Sequence, residues 1–103
     1  RLRFHLADVT DLGWLQSEFG IIFDQGCFHT LRRGQRSGYA AGVRRLLGKR
    51  GLYLLFAFKP GVGRIPGASY IELHTLFAPE LEIAKVEEGT GVTPAAWYTL
   101  RRA

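Results

Sequence analysis

Three residues of types that serve in binding and catalytic sites stand close together, directly after the apolar run 19–23: Asp24, Gly26 and His29. A carboxylate accepts hydrogen bonds from a ligand, and a glycine lets backbone approach one closely. An imidazole titrates near neutrality, so it can orient a substrate or take a proton from it. The alternatives are a plain turn for Asp24 and Gly26 and a structural hydrogen bond within the loop for His29.

The residues between these three indicate a pocket without a metal ion. Phe28 is predicted to form a pocket wall rather than part of the core. Cys27 is predicted to be a small, buried apolar side chain without a redox role. Cys27 and His29 are only two positions apart, no Cys-x-x-Cys occurs, and His5 and His74 are distant, so no metal site is predicted.

The stretch 59–67 is the other candidate for ligand contact, with three glycines and two prolines. It follows an apolar run, and glycines after a strand can bind phosphate. However, Pro66 intervenes and the spacing does not match Gly-x-Gly-x-x-Gly. We therefore expect a flexible loop near the substrate mouth, in which Arg64 meets an anionic substrate.

Hydrophobic periodicity predicts the elements that must position these residues. Helices are predicted over 34–47 and between Ser69 and Pro79, and strands at 2–7, 19–23, 52–58, 81–86 and 95–100. The stretch 10–18 is interpreted as a connector. Strands alternating with helices indicate an α/β protein with a mostly parallel sheet. A short turn with Gly89 and Gly91 joins the last two strands, which are therefore predicted to form an antiparallel hairpin.

Both predicted helices carry an apolar face. In the first, the face consists of residues at i, i+4, i+7 and i+8: Tyr39, Val43, Leu46 and Leu47. Arg36 and Arg44 are expected away from it, and Gly48 is expected to end the helix. In the second, Ser69 and Glu72 form a capping-box pattern. Its apolar face is predicted to contain Tyr70, Leu73, Leu76 and Phe77.

The composition is that of one small globular domain, with 103 residues of which 47% are hydrophobic. No apolar run approaches the roughly 18 residues of a membrane span, and no leader pattern is present at the start. The single cysteine excludes an internal disulfide and indicates a reducing cytoplasm. Because the chain starts at Arg1 with the apolar pattern already running at Leu2, we expect it to be the middle of a longer protein.

Four stretches, in order, resemble the second half of a class I S-adenosylmethionine-dependent methyltransferase. The stretch 4–9 resembles the third strand of that family, and 19–29 resembles the fourth strand and its loop. The stretch 46–54 resembles the turn into the fifth strand, and 77–83 the passage from the last helix into the sixth. Asp-x-Gly-x-x-His at 24–29 is similar in particular to the branch of thiopurine and tellurite methyltransferases.

The resemblance covers nearly the whole chain but lacks the first two strands of the family. Gly20 stands where the family usually has aspartate, and nothing matches the Gly-x-Gly-x-Gly loop or the ribose-binding acid. The implied structure is therefore an incomplete Rossmann-like sheet, with 1–103 as the C-terminal part of a single methyltransferase domain. Since the family's strand order is 3-2-1-4-5-7-6, the strand at 19–23 is expected to be an exposed apolar edge. We expect such a fragment to be inactive by itself.

The resemblance implies S-adenosylmethionine as the cofactor. Asp8 would accept the adenine amino group, with the backbone of Val9 beside it, unless Asp8 is a helix or turn cap instead. Asp24 and Gly26 would line the methionine end of the cofactor. The cofactor supplies the reactive methyl group, so the protein mainly aligns a nucleophile and excludes water.

On the methyl-acceptor side, the resemblance implies a small-molecule substrate whose nucleophile is sulfur, selenium, oxygen or nitrogen. His29 is the candidate catalytic residue, and Phe28 and Arg64 are the candidate substrate-binding residues. The expected partner is the missing N-terminal half of the same domain, and neither a membrane nor a nucleic acid is expected.

Two other functions stay open at this point. The net charge of +5 fits a solvated, arginine-rich surface, but it is also typical of proteins that bind nucleic acid. A basic α/β module without enzymatic activity would contact RNA or DNA through Arg32, Arg33, Arg36, Arg44 and Arg45. The other alternative is a degenerate half-domain that serves only as a partner subunit.

Overall fold

The computed structural model describes residues 19–89 and 91–103, apart from the side chain of Phe19. The predicted strand at 2–7, the connector at 10–18 and the candidate residues Asp8 and Val9 lie outside the described residues. The roles given to those two residues therefore stay predictions. None of the described helices is long and apolar enough to cross a membrane.

The described residues form one mixed sheet of four strands with two α-helices. The elements are β1 (Phe19–Gln25), a 3-10 turn (Phe28–Thr30), α1 (Arg33–Leu46), β2 (Leu47–Phe58), α2 (Tyr70–Phe77), β3 (Leu81–Glu88) and β4 (Ala95–Arg102). The strand order is β1-β2-β4-β3, in which β1 is parallel to β2 and β4 is antiparallel to both of its neighbours. The predicted Rossmann-like α/β sheet with a final antiparallel hairpin is confirmed.

The hydrophobic core lies between the sheet and the two helices, on one face of the sheet. Alternate residues of a strand point to the same face, so β1, β2 and β4 give alternate side chains to the core, whereas β3 gives only Leu81 and Ile83. The core includes Tyr39, Val43 and Leu46 in α1, Leu73 and Phe77 in α2, and Ile22, Tyr53, Leu55, Tyr98 and Leu100 in the sheet. The predicted apolar face of α1 is confirmed except at Leu47, which begins β2.

The passage from α1 to β2 differs from the prediction. Gly48 was expected to stop the helix, but α1 ends at Leu46 and Gly48 already lies in β2. The guanidinium of Arg102, from the last strand, donates to the carbonyl oxygens of Arg44 and Leu47. A side chain from the far end of the sequence thus satisfies carbonyls that a glycine cap would otherwise satisfy.

The start of α2 is predicted in part. The Ser69 hydroxyl accepts a hydrogen bond from the Glu72 N–H at 3.2 Å, which confirms the N-cap. Tyr70, however, was wrongly placed on the buried face, since 49% of it is exposed. Tyr70 lines a surface pocket together with Lys59 and Glu88.

No described helix packs on the opposite face of the sheet, here called the open face. On β1 and β2 it is apolar, and Ile21, Phe23 and Leu52 are exposed by 46%, 46% and 38%. The ring of Trp97 bridges Phe23 and Phe56, with centroids 5.5 Å and 5.1 Å away. Within the described sheet β1 is also an edge strand, as predicted.

Candidate ligand site at the carboxyl edge of the sheet

The carboxyl ends of the two parallel strands meet at one edge of the sheet. β1 ends at Gln25 and β2 ends at Phe58, and in the register Gln25 pairs with Phe56. Open α/β sheets bind their ligands outside this edge. The predicted polar cluster 24–29 begins at the end of β1, so the fold places it where a ligand site is expected.

Asp24 holds the loop that follows β1. Its Oδ1 accepts from the Cys27 N–H at 2.8 Å, and its Oδ2 accepts from the Phe28 N–H at 3.1 Å and the Tyr39 hydroxyl at 2.5 Å. Only 3% of Asp24 is exposed. Burial raises the pKa of this carboxyl, while the hydrogen bonds from Tyr39, Cys27 and Phe28 oppose the rise. The carboxylate is thus committed to fixing the loop.

A second tyrosine extends this network into the sheet. The Tyr53 hydroxyl donates to the Tyr39 oxygen at 3.1 Å, so β2, α1 and β1 are joined through Tyr53, Tyr39 and Asp24. Both rings are almost fully buried, and burial raises the pKa of each phenol well above its ordinary value. Both phenols therefore remain protonated and serve as hydrogen-bond donors near neutral pH.

Gly26 turns the chain inside this loop. Its φ of +94° is a conformation that side chains with a Cβ rarely adopt. A Cβ built there would lie 3.5 Å from His29 Nε2, which is ordinary contact rather than a clash. The backbone conformation, rather than crowding by other described residues, therefore requires glycine at this position.

His29 ties the loop to the end of β2. Its Nδ1 accepts a hydrogen bond from the Phe58 N–H at 2.8 Å, and its ring packs on that of Phe58, with centroids 4.6 Å apart. A backbone N–H can only donate, so Nδ1 carries a lone pair and the neutral ring carries its proton on Nε2. Burial lowers the pKa of His29, which favours this neutral form. In this state His29 presents a hydrogen-bond donor at Nε2.

Phe28 lies in the core rather than on a pocket wall. Its side chain is fully buried among the described residues, against Tyr39 and Phe77, with ring centroids 5.6 Å and 6.4 Å away. The 3-10 turn that begins at Phe28 directs this ring inward beneath α1 and α2, which explains the difference from the prediction. Cys27 is half-buried, and burial raises the pKa of its thiol.

The loop 59–67 adjoins His29, but Arg64 itself is exposed in its middle. The loop returns to the site at Gly67, whose N–H donates to the His29 carbonyl oxygen at 3.0 Å. Gly67 has a φ of +73°, and a Cβ there would lie 2.6 Å from the Lys59 carbonyl oxygen. The base of the loop thus lies beside the loop 24–29, while the role of the loop 59–67 near a substrate stays a prediction. No group of three or more histidine, cysteine or acidic side chains is gathered among the described residues.

Arg36 differs most from its sequence-based prediction. The sequence predicts that Arg36 faces solvent, but only 3% of its surface is exposed. A signal was present, because Arg36 stands three, four and seven positions before Tyr39, Ala40 and Val43 and so shares their helical face. Arg44 is engaged too, donating to the Leu76 carbonyl oxygen at 2.6 Å. Two of the five arginines proposed to contact a nucleic acid, Arg36 and Arg44, are therefore engaged within the protein.

Comparison with known proteins identifies the fold. No protein-family model matches the sequence, and no curated protein matches it either. Among solved structures, TehB from Haemophilus influenzae matches with a TM-score of 0.74 and 15% identity, over 95% of this chain and 40% of that one. The chain has the fold of an S-adenosylmethionine-dependent methyltransferase.

Two further methyltransferases show the same likeness. The N-methyltransferase NodS from Bradyrhizobium japonicum, in complex with S-adenosyl-L-homocysteine, matches with a TM-score of 0.73 and 14% identity, over 89% of this chain and 51% of that one. The glycopeptide N-methyltransferase MtfA, complexed with S-adenosyl-L-methionine, matches with a TM-score of 0.72 and 12% identity, over 94% and 63%. The chain spans 40–63% of the length of these three methyltransferases.

Proposed function

We propose that residues 1–103 form the C-terminal part of an S-adenosylmethionine-dependent methyltransferase domain that acts on a small-molecule nucleophile in the cytoplasm. The observation that carries the proposal is the position of the loop 24–29. It is fixed at the carboxyl edge of β1, in a sheet with the methyltransferase fold. Two of the matched methyltransferases were crystallised with S-adenosylmethionine or S-adenosylhomocysteine, which supports that cofactor here.

The described part of the site fits such a cofactor. At Gly26 the chain turns with only a hydrogen where a Cβ would stand, so a ligand can approach the backbone closely. Asp24 acts here by holding the loop that contains Gly26, since its oxygens already accept three hydrogen bonds. Asp8 and Val9 would hold the adenine end. The bound cofactor would supply the electrophilic methyl group, and the chain would orient the acceptor and exclude water.

His29 would orient the methyl acceptor through Nε2. With Nδ1 occupied by the Phe58 N–H, Nε2 carries the proton and donates a hydrogen bond. The residue therefore serves to hold an acceptor with a free lone pair rather than to remove its proton. Arg64, on the adjoining loop, would contribute positive charge toward an anionic acceptor. Sulfur, selenium and oxygen nucleophiles have one lone pair for this hydrogen bond and another to attack the methyl carbon. A nitrogen nucleophile has a single lone pair, so His29 would bond to a different atom of such an acceptor.

The partner of this chain would be the rest of the methyltransferase domain. The apolar part of the open face, with Ile21, Phe23 and Leu52 exposed, needs a covering layer. The chain also spans only 40–63% of the three matched methyltransferases, so those proteins contain additional chain of comparable length. We therefore expect cofactor affinity to require that additional chain.

Calorimetric titration with S-adenosylhomocysteine tests the proposal. The ligand is titrated into the 103-residue chain and into a chain extended upstream to its start codon, and binding is expected only for the extended chain. In the extended chain, Gly26→Ala should weaken binding because alanine strains at a φ of +94°. Gly34→Ala is the matched control, since Gly34 lies in α1 with open space where a Cβ would stand. A folded extended chain that ignores the ligand would refute the proposed function.

A further inference from the structure

The guanidinium of Arg36 is surrounded by acceptors from both loops at the ligand edge. Its Nε donates to the Leu31 carbonyl oxygen at 3.0 Å, and its Nη1 donates to Glu72 Oε1 at 2.7 Å. Its Nη2 donates to the carbonyl oxygens of Gly67 at 2.6 Å and His29 at 3.3 Å. The group therefore engages the loop after β1, the loop after β2 and the first turn of α2 at once.

The two loops also contact each other directly at this point. The Gly67 N–H donates to the His29 carbonyl oxygen, and Arg36 donates to the carbonyl oxygens of both residues. The three bonds form a closed triangle that fixes the His29 backbone relative to the base of the loop 59–67. The His29 ring is held from the other side by the Phe58 N–H.

The arrangement depends on arginine in particular. A planar guanidinium offers five donors in a rigid fork, whereas a lysine ammonium is a point charge with three rotatable donors. The guanidinium also lies over the Phe28 ring, 4.5 Å from its centroid, and Glu72 compensates its charge in the buried site. Lysine would keep the charge but could not reach carbonyl oxygens on two sides and Glu72 together.

We propose that Arg36 is a positioning residue for this site: it fixes the loop 24–29, which holds Gly26 on the cofactor side and His29 on the acceptor side, against the loop 59–67 and thereby sets ligand affinity at the carboxyl edge. It acts through the His29 carbonyl oxygen and the loop backbone, without contact to the ligand. The inference rests on the proposed function as far as the ligand is concerned. The orientation of His29 itself is independent of that function.

The test uses the full-length protein and compares Arg36→Lys with Arg33→Lys, a control at an exposed position of the same helix. Two quantities are measured: the ¹⁵N chemical shifts of the His29 ring without ligand, and the dissociation constant for S-adenosylhomocysteine. In wild type and the control, the shifts should show one neutral tautomer with the proton on Nε2. In Arg36→Lys they should show mixed tautomers, and ligand affinity should fall roughly tenfold or more. The melting temperature is recorded to establish that each variant is folded.

A purely structural role would lower the melting temperature but leave the His29 signals and the affinity of the folded protein unchanged. That result would overturn the inference. If Arg36→Lys does not fold, Glu72→Gln decides, because without its charge partner the guanidinium is held less firmly against the two carbonyl oxygens. A measurable fraction of the second tautomer and about threefold weaker binding are then expected, and wild-type values would overturn the inference. If the wild type binds no S-adenosylhomocysteine, the proposed function fails and the His29 signals alone decide the role of Arg36.

Discussion

The two faces of the sheet differ in how well the described residues bury their side chains. On the face covered by α1 and α2, buried polar side chains form hydrogen bonds, and no buried side-chain nitrogen or oxygen among the described residues lacks a partner. On the open face, aromatic and aliphatic side chains of β1 and β2 are exposed, including Phe23 at 46%.

This difference separates two kinds of stabilisation. The polar network around Asp24 and Arg36 is satisfied by the loops and helices that directly follow the strands, so the short chain contains all of its partners. Apolar surface has no local partner of this kind, because it is stabilised only by a second layer that removes it from water. The covered face therefore fixes the candidate site, and the open face marks where the rest of the domain is expected.

The largest effect is expected from Asp24→Ala, which breaks the network on the covered face. The change leaves the Cys27 and Phe28 N–H groups and the Tyr39 hydroxyl without their acceptor. Because each unpaired buried group costs about 1–3 kcal/mol, the free energy of unfolding should fall by about 4 kcal/mol. Urea denaturation of the full-length protein measures it. Glu87→Ala, at an exposed carboxylate, is the control, and a similar loss in both variants would contradict the network.

A smaller effect is expected from Phe23→Lys on the open face. In the proposed function the rest of the domain covers the open face, so this change would bury an ammonium group in the full-length protein, at a cost of about 3 kcal/mol. Ile71→Lys is the control, since Ile71 is an apolar residue of α2 whose surface is 76% exposed. It should change the free energy of unfolding by less than about 0.5 kcal/mol. Equal values for the two variants would show that the open face faces solvent in the whole protein.

A pH-dependent effect is expected from His29. Burial holds its folded pKa below the ordinary value of about 6.5, so the unfolded chain binds the proton more readily. The contribution of His29 to stability is complete above about pH 6.5 and is lost as the pH falls through the folded pKa. Between pH 8 and pH 5 the melting temperature should fall more steeply for wild type than for His29→Asn. The asparagine keeps an acceptor for the Phe58 N–H but has no group that titrates. His74→Asn, at an exposed position, is the control, and its melting temperature should depend on pH as in wild type. The same pH dependence in all three proteins would contradict the attribution of this effect to His29.

The smallest effect is expected from Arg101→Met, at the polar end of the open face. Arg101 Nε donates to Glu82 Oε2 at 2.7 Å, but the two side chains are exposed by 58% and 46%. Such pairs contribute about 0.2–1 kcal/mol, so the free energy of unfolding measured in urea should fall by no more than about 1 kcal/mol. A loss as large as that of Asp24→Ala would show that this end of the open face is also buried in the whole protein.

Local patterns in the sequence were sufficient for most of the described elements and for the position of the loop 24–29. The apolar runs predicted β1 and β2, the spacing of Tyr39, Val43 and Leu46 predicted α1, and Ser69 predicted the start of α2. These signals are local, because helix and strand periodicity depend on neighbouring residues. The loop 24–29 was located because a strand that ends in polar residues leads to the carboxyl edge of a parallel sheet.

The sequence by itself thus determined the order of the elements, the sheet type and the loop at its edge. Only the tertiary structure decided the roles within the site: that Asp24 is occupied by three donors, that Phe28 lies in the core, and that Arg36 is buried between two loops. These roles depend on partners between 3 and 49 positions away in the sequence. The type of a hydrogen-bonding side chain does not show which group it will bond to. Only the packing of the helices on the sheet brings the partners within hydrogen-bond distance.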